Sequence, residues 1–285
     1  MPLKIVEPIS TLSTHDLFGK IASRAKHLKD GRMTEEALLV MIYDAAQIYN
    51  VNSDFFKKCL DAKQKKQFKL NDEFFKRIKH MFQTNTRPMF RKISNALDLR
   101  YFNPSFSYRH NVRFITEADN TLHIREYVLK YQPTLVAVDA ESCAFMKSIT
   151  NRFHDYIAFA FSKDHIFIWY RPKKRFLKGL FKVLNDRQVC VLHWGPGDEK
   201  AFVNKQQSKD LQPLLPNGSM LSLTDAAKIV TGRPLDKGLT MGWWSAPPKE
   251  LYYNYIEYFD YLIMDVLILF VIKEKFHIIK NHYFI

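Results

Sequence analysis

Apolar side chains recur at helical spacing through the first hundred residues. Thr34-Glu35-Glu36 is typical of a helix start, and the apolar positions that follow it repeat every three or four residues. Residues 71–82 show the same pattern, with basic side chains on the opposite side. Residues 99–113 contain Asn103-Pro104, serines and aromatics without a period, which predicts a connecting segment. We therefore predict an all-helical region over residues 1–111.

The period of the pattern changes at residue 112. Short apolar runs bounded by turn residues predict strands, and longer segments between them have helical spacing. The predicted strands are 112–116, 134–139, 156–162, 165–170 and 188–193, and the predicted helices are 119–131 and 171–185. Lys163-Asp164 predicts a hairpin turn, and the remainder of the chain has a largely helical pattern. Strands that first meander and then alternate with helices predict an α/β domain with a mixed sheet over residues 112–285.

Positive charge is concentrated in the N-terminal region. The 285 residues have a formal net charge of +14, and residues 57–100 hold 13 basic against 4 acidic side chains. Such an excess attracts a polyanion, so nucleic acid is the first partner to consider. The ordinary alternative is that these lysines only solvate a helix face. The candidate contacts with nucleic acid in this region are Lys63, Lys65, Lys66 and Lys69.

Cysteine usage and hydropathy bear on the compartment. Cys59, Cys143 and Cys190 are far apart and lack the short spacing of a zinc knuckle or a redox pair. The first 14 residues contain no apolar block typical of a leader peptide. The apolar run 261–272 is too short to span a bilayer and contains Asp265. We expect an intracellular protein, cytoplasmic or nuclear, without a membrane partner.

Carboxylates stand at the ends of the predicted elements. Asp139 and Glu141 are two positions apart at the end of an apolar strand, so both project from one face of the sheet. Asp198 follows the next buried strand, and Tyr261 and Asp265 are four apart on one helix face. Taken singly, these residues also fit a solvent-facing strand end, a helix N-cap and a buried, hydrogen-bonded acid.

The order and spacing of these residues resemble the DnaQ-like 3′–5′ exonucleases of the tyrosine-containing (DEDD) subgroup, as in RNase D and the Werner-syndrome exonuclease domain. Leu135-Val-Ala-Val-Asp139-Ala-Glu141 resembles the first exonuclease motif, Trp194-Gly-Pro-Gly-Asp198 the second, and Tyr261-x-x-x-Asp265 the third. The resemblance spans residues 112–285 and implies an RNase H-like mixed sheet flanked by helices. The histidine subgroup would need a His at position 260, where this chain has Asp260.

The segment between the second and third motifs is also similar to this family. Residues 223–237 predict a helix closed by Gly232 and end in Leu-Asp-Lys237, and Trp243 or Trp244 stands where the family has its tryptophan. The chain departs from the family pattern Trp-x-x-Arg-Pro-Leu, because Trp244-Ser-Ala-Pro-Pro248 lacks the arginine. Its second motif also lacks the asparagine of RNase D.

Phosphodiester hydrolysis needs an activated water, neutralisation of charge on the phosphate and a stabilised leaving 3′ oxygen. Two Mg²⁺ or Mn²⁺ ions about 3.5–4 Å apart supply all three, and such hard cations take oxygen ligands. We assign Asp139 to both metals, Glu141 and Asp265 to the metal that carries the nucleophile, Asp198 to the second metal, and Tyr261 to the orientation of the attacking water. His193 has no Cys or His partner at zinc spacing, so we do not predict zinc.

Further candidate contacts with nucleic acid follow the motifs. Phe145 and Met146 suit either stacking on a terminal base or packing in the core. Lys173, Lys174 and Arg175 begin a basic helix face that either tracks a phosphate backbone or is simply solvated. Lys237, at the end of the segment that resembles the family, is a further candidate.

The expected function is a two-metal-ion 3′–5′ exonuclease that releases nucleoside 5′-monophosphates from RNA or single-stranded DNA. Similarity to RNase D-type and Nibbler-type trimming enzymes favours RNA 3′-end trimming. Two other classes stay open: a nuclease-fold protein that binds RNA with weak or no cleavage, and a scaffold that binds a protein partner through its helical region. Mn²⁺-dependent degradation separates the first class from the second, and salt-insensitive binding to a protein marks the third.

Overall fold

The structure is a computed structural model, and it describes part of the chain. The described residues are 35, 38, 39, 42, 43, 72–84, 102, 104, 106–142, 154–195, 207–237, 244, 247–254 and 256–283. They belong to two compact units. The first unit contains the described residues before position 93 together with Asp236, Lys237 and Trp244, and the second contains the others. The domain boundary near residue 111 stays a prediction.

The described residues of the first unit before position 93 are helical. Glu35, Leu38, Leu39, Ile42 and Tyr43 are helical, and the last four are buried. Helix α1, Asp72–Thr84, buries Phe74, Ile78 and Met81 and exposes its lysines. The helix predicted over 71–82 is therefore confirmed. The guanidinium of Arg77 lies 3.3 Å from the carboxylate of Glu35.

The second unit is built on one mixed sheet of six strands in the order β1-β4-β3-β2-β5-β6. The strands are β1 Val112–Ile115, β2 Leu135–Glu141, β3 Tyr156–Ser162, β4 His165–Tyr170, β5 Cys190–His193 and β6 Ser208–Asp210. Strands β2, β3 and β4 form an antiparallel meander, whereas β1 joins β4, β5 joins β2 and β6 joins β5 in parallel. A meander extended on one side by two parallel strands, here β5 and β6, is the order of an RNase H-like sheet, and β1 adds a sixth strand at the opposite edge. The predicted fold class is therefore confirmed.

Seven described helices accompany this sheet: α2 Tyr108–Asn111, α3 Leu122–Tyr131, α4 Lys174–Asp186, α5 Leu223–Thr231, α6 Pro248–Asn254, α7 Glu257–Glu274 and α8 Phe276–Tyr283. The helix predicted from residue 119 begins at Leu122, because the Leu122 amide donates to the Asn120 side chain in a local turn. Gly232 closes α5 with a φ of 75°, as its position predicted. Helix α2 lies in the predicted connecting segment, and strand β6 lies in the remainder of the chain, for which a largely helical pattern was predicted.

The two faces of the sheet are covered by different helices. Val136 and Val138 of β2 belong to the core that α3 and α4 complete. The alternate residues of β2 therefore lie on the other face, and α7 packs across β2, β3 and β5. Every residue of α7 from 257 to 269 is buried, which agrees with a helix that is apolar on nearly all sides. Among the described residues, no helix is long and apolar enough to cross a bilayer.

Candidate metal centre

Three of the four predicted carboxylates converge where β2 ends. Asp139 and Glu141 are half-buried, and Asp265 in α7 is 3% exposed. One carboxylate oxygen from each of the three residues lies within 4.8 Å of the others. Asp198, the fourth predicted ligand, lies outside the described residues. The structure thus brings together residues 126 positions apart, 139 and 265.

The local sequence explains how a helix carboxylate reaches the strand. Asp139 and Glu141 share the face of β2 on which α7 packs, because they are two positions apart. Ala158 lies opposite Asp139, and Ala137 lies opposite Ala160 on β3. Since alanine side chains are short, these three positions allow the helix to approach the sheet closely. Asp265 then projects from α7 towards the end of β2.

Tyr261 lies one helical turn before Asp265 in α7. Its side chain is 2% exposed. Residues four apart on a helix lie on the same face, so Tyr261 and Asp265 share one stripe of α7. The four-residue spacing in the sequence therefore corresponds to one turn of α7, as predicted.

The donor set fits a hard divalent cation. Three carboxylates offer only oxygen atoms, which suit Mg²⁺ or Mn²⁺, whereas zinc sites typically include Cys or His. Carboxylates this close together repel one another, and a bound cation offsets that repulsion. His193, which was considered beside the second motif, is buried, and its Nδ1 lies 2.9 Å from the carbonyl oxygen of Gly195.

Gly195, just after β5, is held by side chains of residues 210 and 212. The Gly195 amide donates to Oδ1 of Asp210 at 2.8 Å, and the Gln212 amide donates to the same oxygen at 3.0 Å. Gly195 has a φ of +81°, and a Cβ at this position would lie 2.6 Å from Oε1 of Gln212. The side-chain amide of Gln212 is itself fixed, because it donates to the carbonyl of Leu221 at 2.9 Å. Only glycine fits this position without displacing Gln212.

A second buried acid in α7 was not singled out as functional from the sequence. Asp260 is 1% exposed and accepts a hydrogen bond from the hydroxyl of Tyr108 in α2. Burial, reinforced by the nearby Asp260 carboxylate, raises the pKa of the Tyr108 hydroxyl well above its usual value. An acid within a largely apolar helix was the available signal, but Tyr108 lies 152 positions away in a segment without a period.

The strand end beside Glu141 is fixed by the start of β3. The Asp155 amide donates to the carbonyl of Glu141 at 3.1 Å. His154, 8% exposed, has its Nδ1 3.2 Å from the hydroxyl of Ser142. These contacts hold the chain at Glu141 and at the residue after it, so the Glu141 carboxylate starts from a fixed position.

Only some of the predicted contacts with nucleic acid lie within the described residues. Lys173, Lys174 and Arg175 are exposed at the start of α4, and Lys237 is half-buried in the first unit. The remaining candidates lie outside the described residues: Lys63, Lys65, Lys66, Lys69, Phe145 and Met146.

No protein-family model and no curated protein matches this sequence. Among solved structures, it is similar to the catalytic core of RRP6 from Trypanosoma brucei, with 16% identity, a TM-score of 0.48, and 62% of this chain and 49% of that chain covered. It is also similar to the Nibbler EXO domain of Aedes aegypti, with 14% identity, a TM-score of 0.42, and 62% and 89% covered. A protein from Bifidobacterium adolescentis shows 15% identity, a TM-score of 0.43, and 59% and 44% covered.

The chain spans about half the length of the Trypanosoma structure and less of the Bifidobacterium one. With identities this low and TM-scores of this size, the similarities carry no information about a reaction. We therefore infer the chemistry of the chain from its own residues.

Proposed function

We propose that this chain is a metal-dependent 3′–5′ exonuclease acting on single-stranded RNA or DNA. The observation that carries the proposal is the convergence of Asp139, Glu141 and Asp265 within 4.8 Å at one end of the sheet. Three carboxylates brought this close together from a strand and a distant helix repel one another, and a bound cation would offset that repulsion. Their order along the chain, with Tyr261 one turn before Asp265, agrees with the exonuclease motifs to which the sequence is similar.

The protein's own residues would hold the metals and position the reacting groups. Asp139, Glu141 and Asp265 would bind the cations, with Asp198 as the proposed fourth ligand. Bound Mg²⁺ or Mn²⁺ supplies Lewis acidity, an acidified water and stabilisation of the leaving oxygen. The cations also let a phosphate enter a cleft that is otherwise negatively charged.

Tyr261 would orient the attacking water through its hydroxyl. The hydroxyl would act as a hydrogen-bonding group that positions the water, and the bound cations would supply the acidity. Because Tyr261 is buried on α7, its side chain is held in place rather than free to move in solvent. The proton of the attacking water then passes to solvent or to the departing oxygen, not to the tyrosine.

The test is a time course on single strands with Mn²⁺, Mg²⁺ or EDTA. A 3′–5′ exonuclease converts a 5′-labelled strand into a ladder of shorter products, whereas a 3′-labelled strand gives labelled mononucleotide at once. Asp139→Asn should abolish this activity with little change in fold, because it removes the charge while keeping the shape. Asp186→Asn, an exposed Asp at the end of α4, is the matched control and should stay fully active.

Degradation by Asp139→Asn at the wild-type rate would contradict the proposal, since another site would then be responsible. A pure wild-type protein that binds single strands but leaves them intact with every cation would favour the binding-only class.

A further inference from the structure

A concave site lies at the start of α4, outside the carboxylate cluster. It has a volume of about 470 Å³, and the described residues that line it are four cations: Lys173, Lys174, Arg175 and Lys178. Sites for small uncharged ligands in this size range are mostly apolar with a few polar groups. The stems of these side chains add apolar surface here too, but their three ammonium groups and one guanidinium group suit a ligand with several negative charges.

The helix that carries these cations is electrostatically unfavourable by itself. The N-terminus of an α-helix has a partial positive charge, which favours acidic side chains there and disfavours basic ones. Helix α4 has no acidic residue in its first turn, and Lys173 occupies the N-cap without a side-chain capping bond. Cations therefore stand where helix stability prefers acids. The Asp119 carboxylate beside Lys173 offsets part of this cost, and an anion bound at this place would offset more of it.

The site is pre-organised by the segments on both sides of it. The Arg171 amide donates to the carbonyl of Asp155 at 2.7 Å, and the Arg171 side chain forms an ion pair with the Asp155 carboxylate at 3.1 Å. The Lys173 amide donates to the carbonyl of Ala118 at 2.8 Å, and Lys173 Nζ lies 3.1 Å from the carboxylate of Asp119. Since the backbone entering α4 is fixed in this way, a ligand would lose little entropy in ordering it.

The strand ladder places this site at the same end of the sheet as the carboxylates. Glu141 pairs with Tyr156, and Tyr156 pairs with Tyr170 at the end of β4. Neighbouring strands are about 4.8 Å apart, and Lys174 follows Tyr170 by four residues. The start of α4 is therefore within about 25 Å of Glu141, measured along the backbone.

We propose that the basic site formed by Lys173, Lys174, Arg175 and Lys178 binds phosphates in the body of a single-stranded nucleic acid whose 3′ end lies at the carboxylates. The proposal rests on the proposed function for the identity of the polyanion. The acidic cluster alone repels phosphates, so affinity for the strand has to come from a cationic surface elsewhere. The ordinary alternative is a solvated helix face. A binding site is favoured because the surface is concave, the backbone before α4 is fixed, and the carboxylates lie at the same end of the sheet.

The test compares two double variants with equal changes in charge. Arg175→Glu with Lys178→Glu alters the site, whereas Lys228→Glu with Lys280→Glu alters exposed lysines of α5 and α8. Binding of a labelled single strand of about 20 nucleotides is measured by fluorescence anisotropy at several salt concentrations in EDTA, which prevents cleavage. We expect the site variant to bind roughly tenfold more weakly than the control variant, with a salt slope smaller by about 1.4 for two lost phosphate contacts.

Equal affinity and equal salt slope for the two double variants would overturn the proposal. The proposal would also be overturned if the wild-type protein bound neither RNA nor DNA but bound anionic vesicles or polyglutamate through Arg175 and Lys178. If the Glu variants do not fold, Arg175→Gln with Lys178→Gln is compared with Lys228→Gln and Lys280→Gln. Cleavage with Mn²⁺ is measured separately, so weaker binding without any cleavage would reject the proposed function while retaining this site.

Discussion

Asp139, Glu141 and Asp265 are like charges whose oxygens lie within 4.8 Å of one another. A fold tolerates such a cluster at a cost in stability, and cation binding at the cluster offsets the repulsion. At the residue scale, the cluster therefore lowers the stability of the metal-free fold. In return it provides a site at which cations and phosphates can bind together. Asp139 matters most in this respect, because it is the residue that we assign to both metals.

Tyr261→Phe should be milder than Asp139→Asn. The substitution removes one hydroxyl while the carboxylates that hold the metals stay in place. We expect kcat for cleavage of a labelled strand to fall about ten- to a hundredfold with KM little changed, since only the orientation of the water is lost. Tyr127→Phe, on α3 at the other face of the sheet, is the matched control and should keep wild-type kcat. Complete inactivity of Tyr261→Phe, or unchanged kcat, would contradict the assigned role.

The sequence predicts the carboxylate positions well but misses the buried contacts around them. Asp139 and Glu141 could be recognised because their spacing of two is the period of a strand, and Tyr261 and Asp265 because four is close to the period of a helix. The hydrogen bond between Tyr108 and Asp260 could not be predicted, because no periodic pattern links residues that meet only through tertiary packing.

At the scale of elements, the loop after β5 depends on one glycine. Gly195→Ala places a Cβ 2.6 Å from Oε1 of Gln212 and also strains a backbone with φ of +81°. We expect a loss of about 2–3 kcal/mol in the free energy of unfolding, measured by urea denaturation. Cleavage should also slow by about ten- to a hundredfold, because Asp198, the proposed fourth metal ligand, follows Gly195 by three positions in the sequence.

Gly218→Ala is the matched control for Gly195→Ala. Gly218 has a φ of +79°, but a Cβ there has no neighbour within 4 Å. Its substitution therefore carries only the backbone cost of about 1–2 kcal/mol and should leave cleavage unchanged. Equal losses of stability and activity in the two variants would show that the contact with Gln212 is irrelevant.

The contact between α2 and α7 predicts a loss of stability at alkaline pH. The pKa of Tyr108 is higher in the folded chain than in the unfolded one, so the unfolded chain releases this proton first. The free energy of unfolding should then fall as the pH rises from about 10 towards the folded-state pKa, by up to about 1.4 kcal/mol per pH unit for this residue. Burial also raises the pKa of Tyr156, which adds to the same trend.

Tyr108→Phe should make this alkaline slope shallower. At neutral pH the same variant should lose about 1–3 kcal/mol, because Asp260 no longer receives the hydroxyl hydrogen bond. Urea denaturation between pH 8 and 11 measures both effects, with the exposed Tyr253→Phe as the control. An unchanged slope in Tyr108→Phe would mean that the Tyr108 hydroxyl does not cause the loss of stability at alkaline pH.

The elements of the sheet differ in how far the sequence predicts them. Strands β3 and β4 have the predicted bounds, because apolar runs and a polar turn mark both ends. Strand β6, by contrast, consists of Ser208, Lys209 and Asp210 and is held by backbone pairing with β5. Three polar residues carry no side-chain pattern, so this strand could not be predicted from the sequence.

At the scale of the whole molecule, the metal should stabilise the fold that assembles its site. A ligand that binds only the folded chain raises its stability by mass action, and saturating Mn²⁺ should raise Tm by roughly 5 °C or more relative to EDTA. Asp139→Asn should lose most of this shift, whereas Asp186→Asn should keep it. An equal shift in both variants, measured by thermal unfolding, would mean that Mn²⁺ binds elsewhere.

The strand order also has a consequence for how the described sheet meets other chains. Both of its edge strands are short: β1 has four residues and β6 has three. Arg113 on β1 and Lys209 and Asp210 on β6 are exposed and charged. Short, charged edges offer a foreign strand few amide and carbonyl groups to pair with, so the long apolar strands β2, β3 and β4 stay shielded from edge-to-edge aggregation.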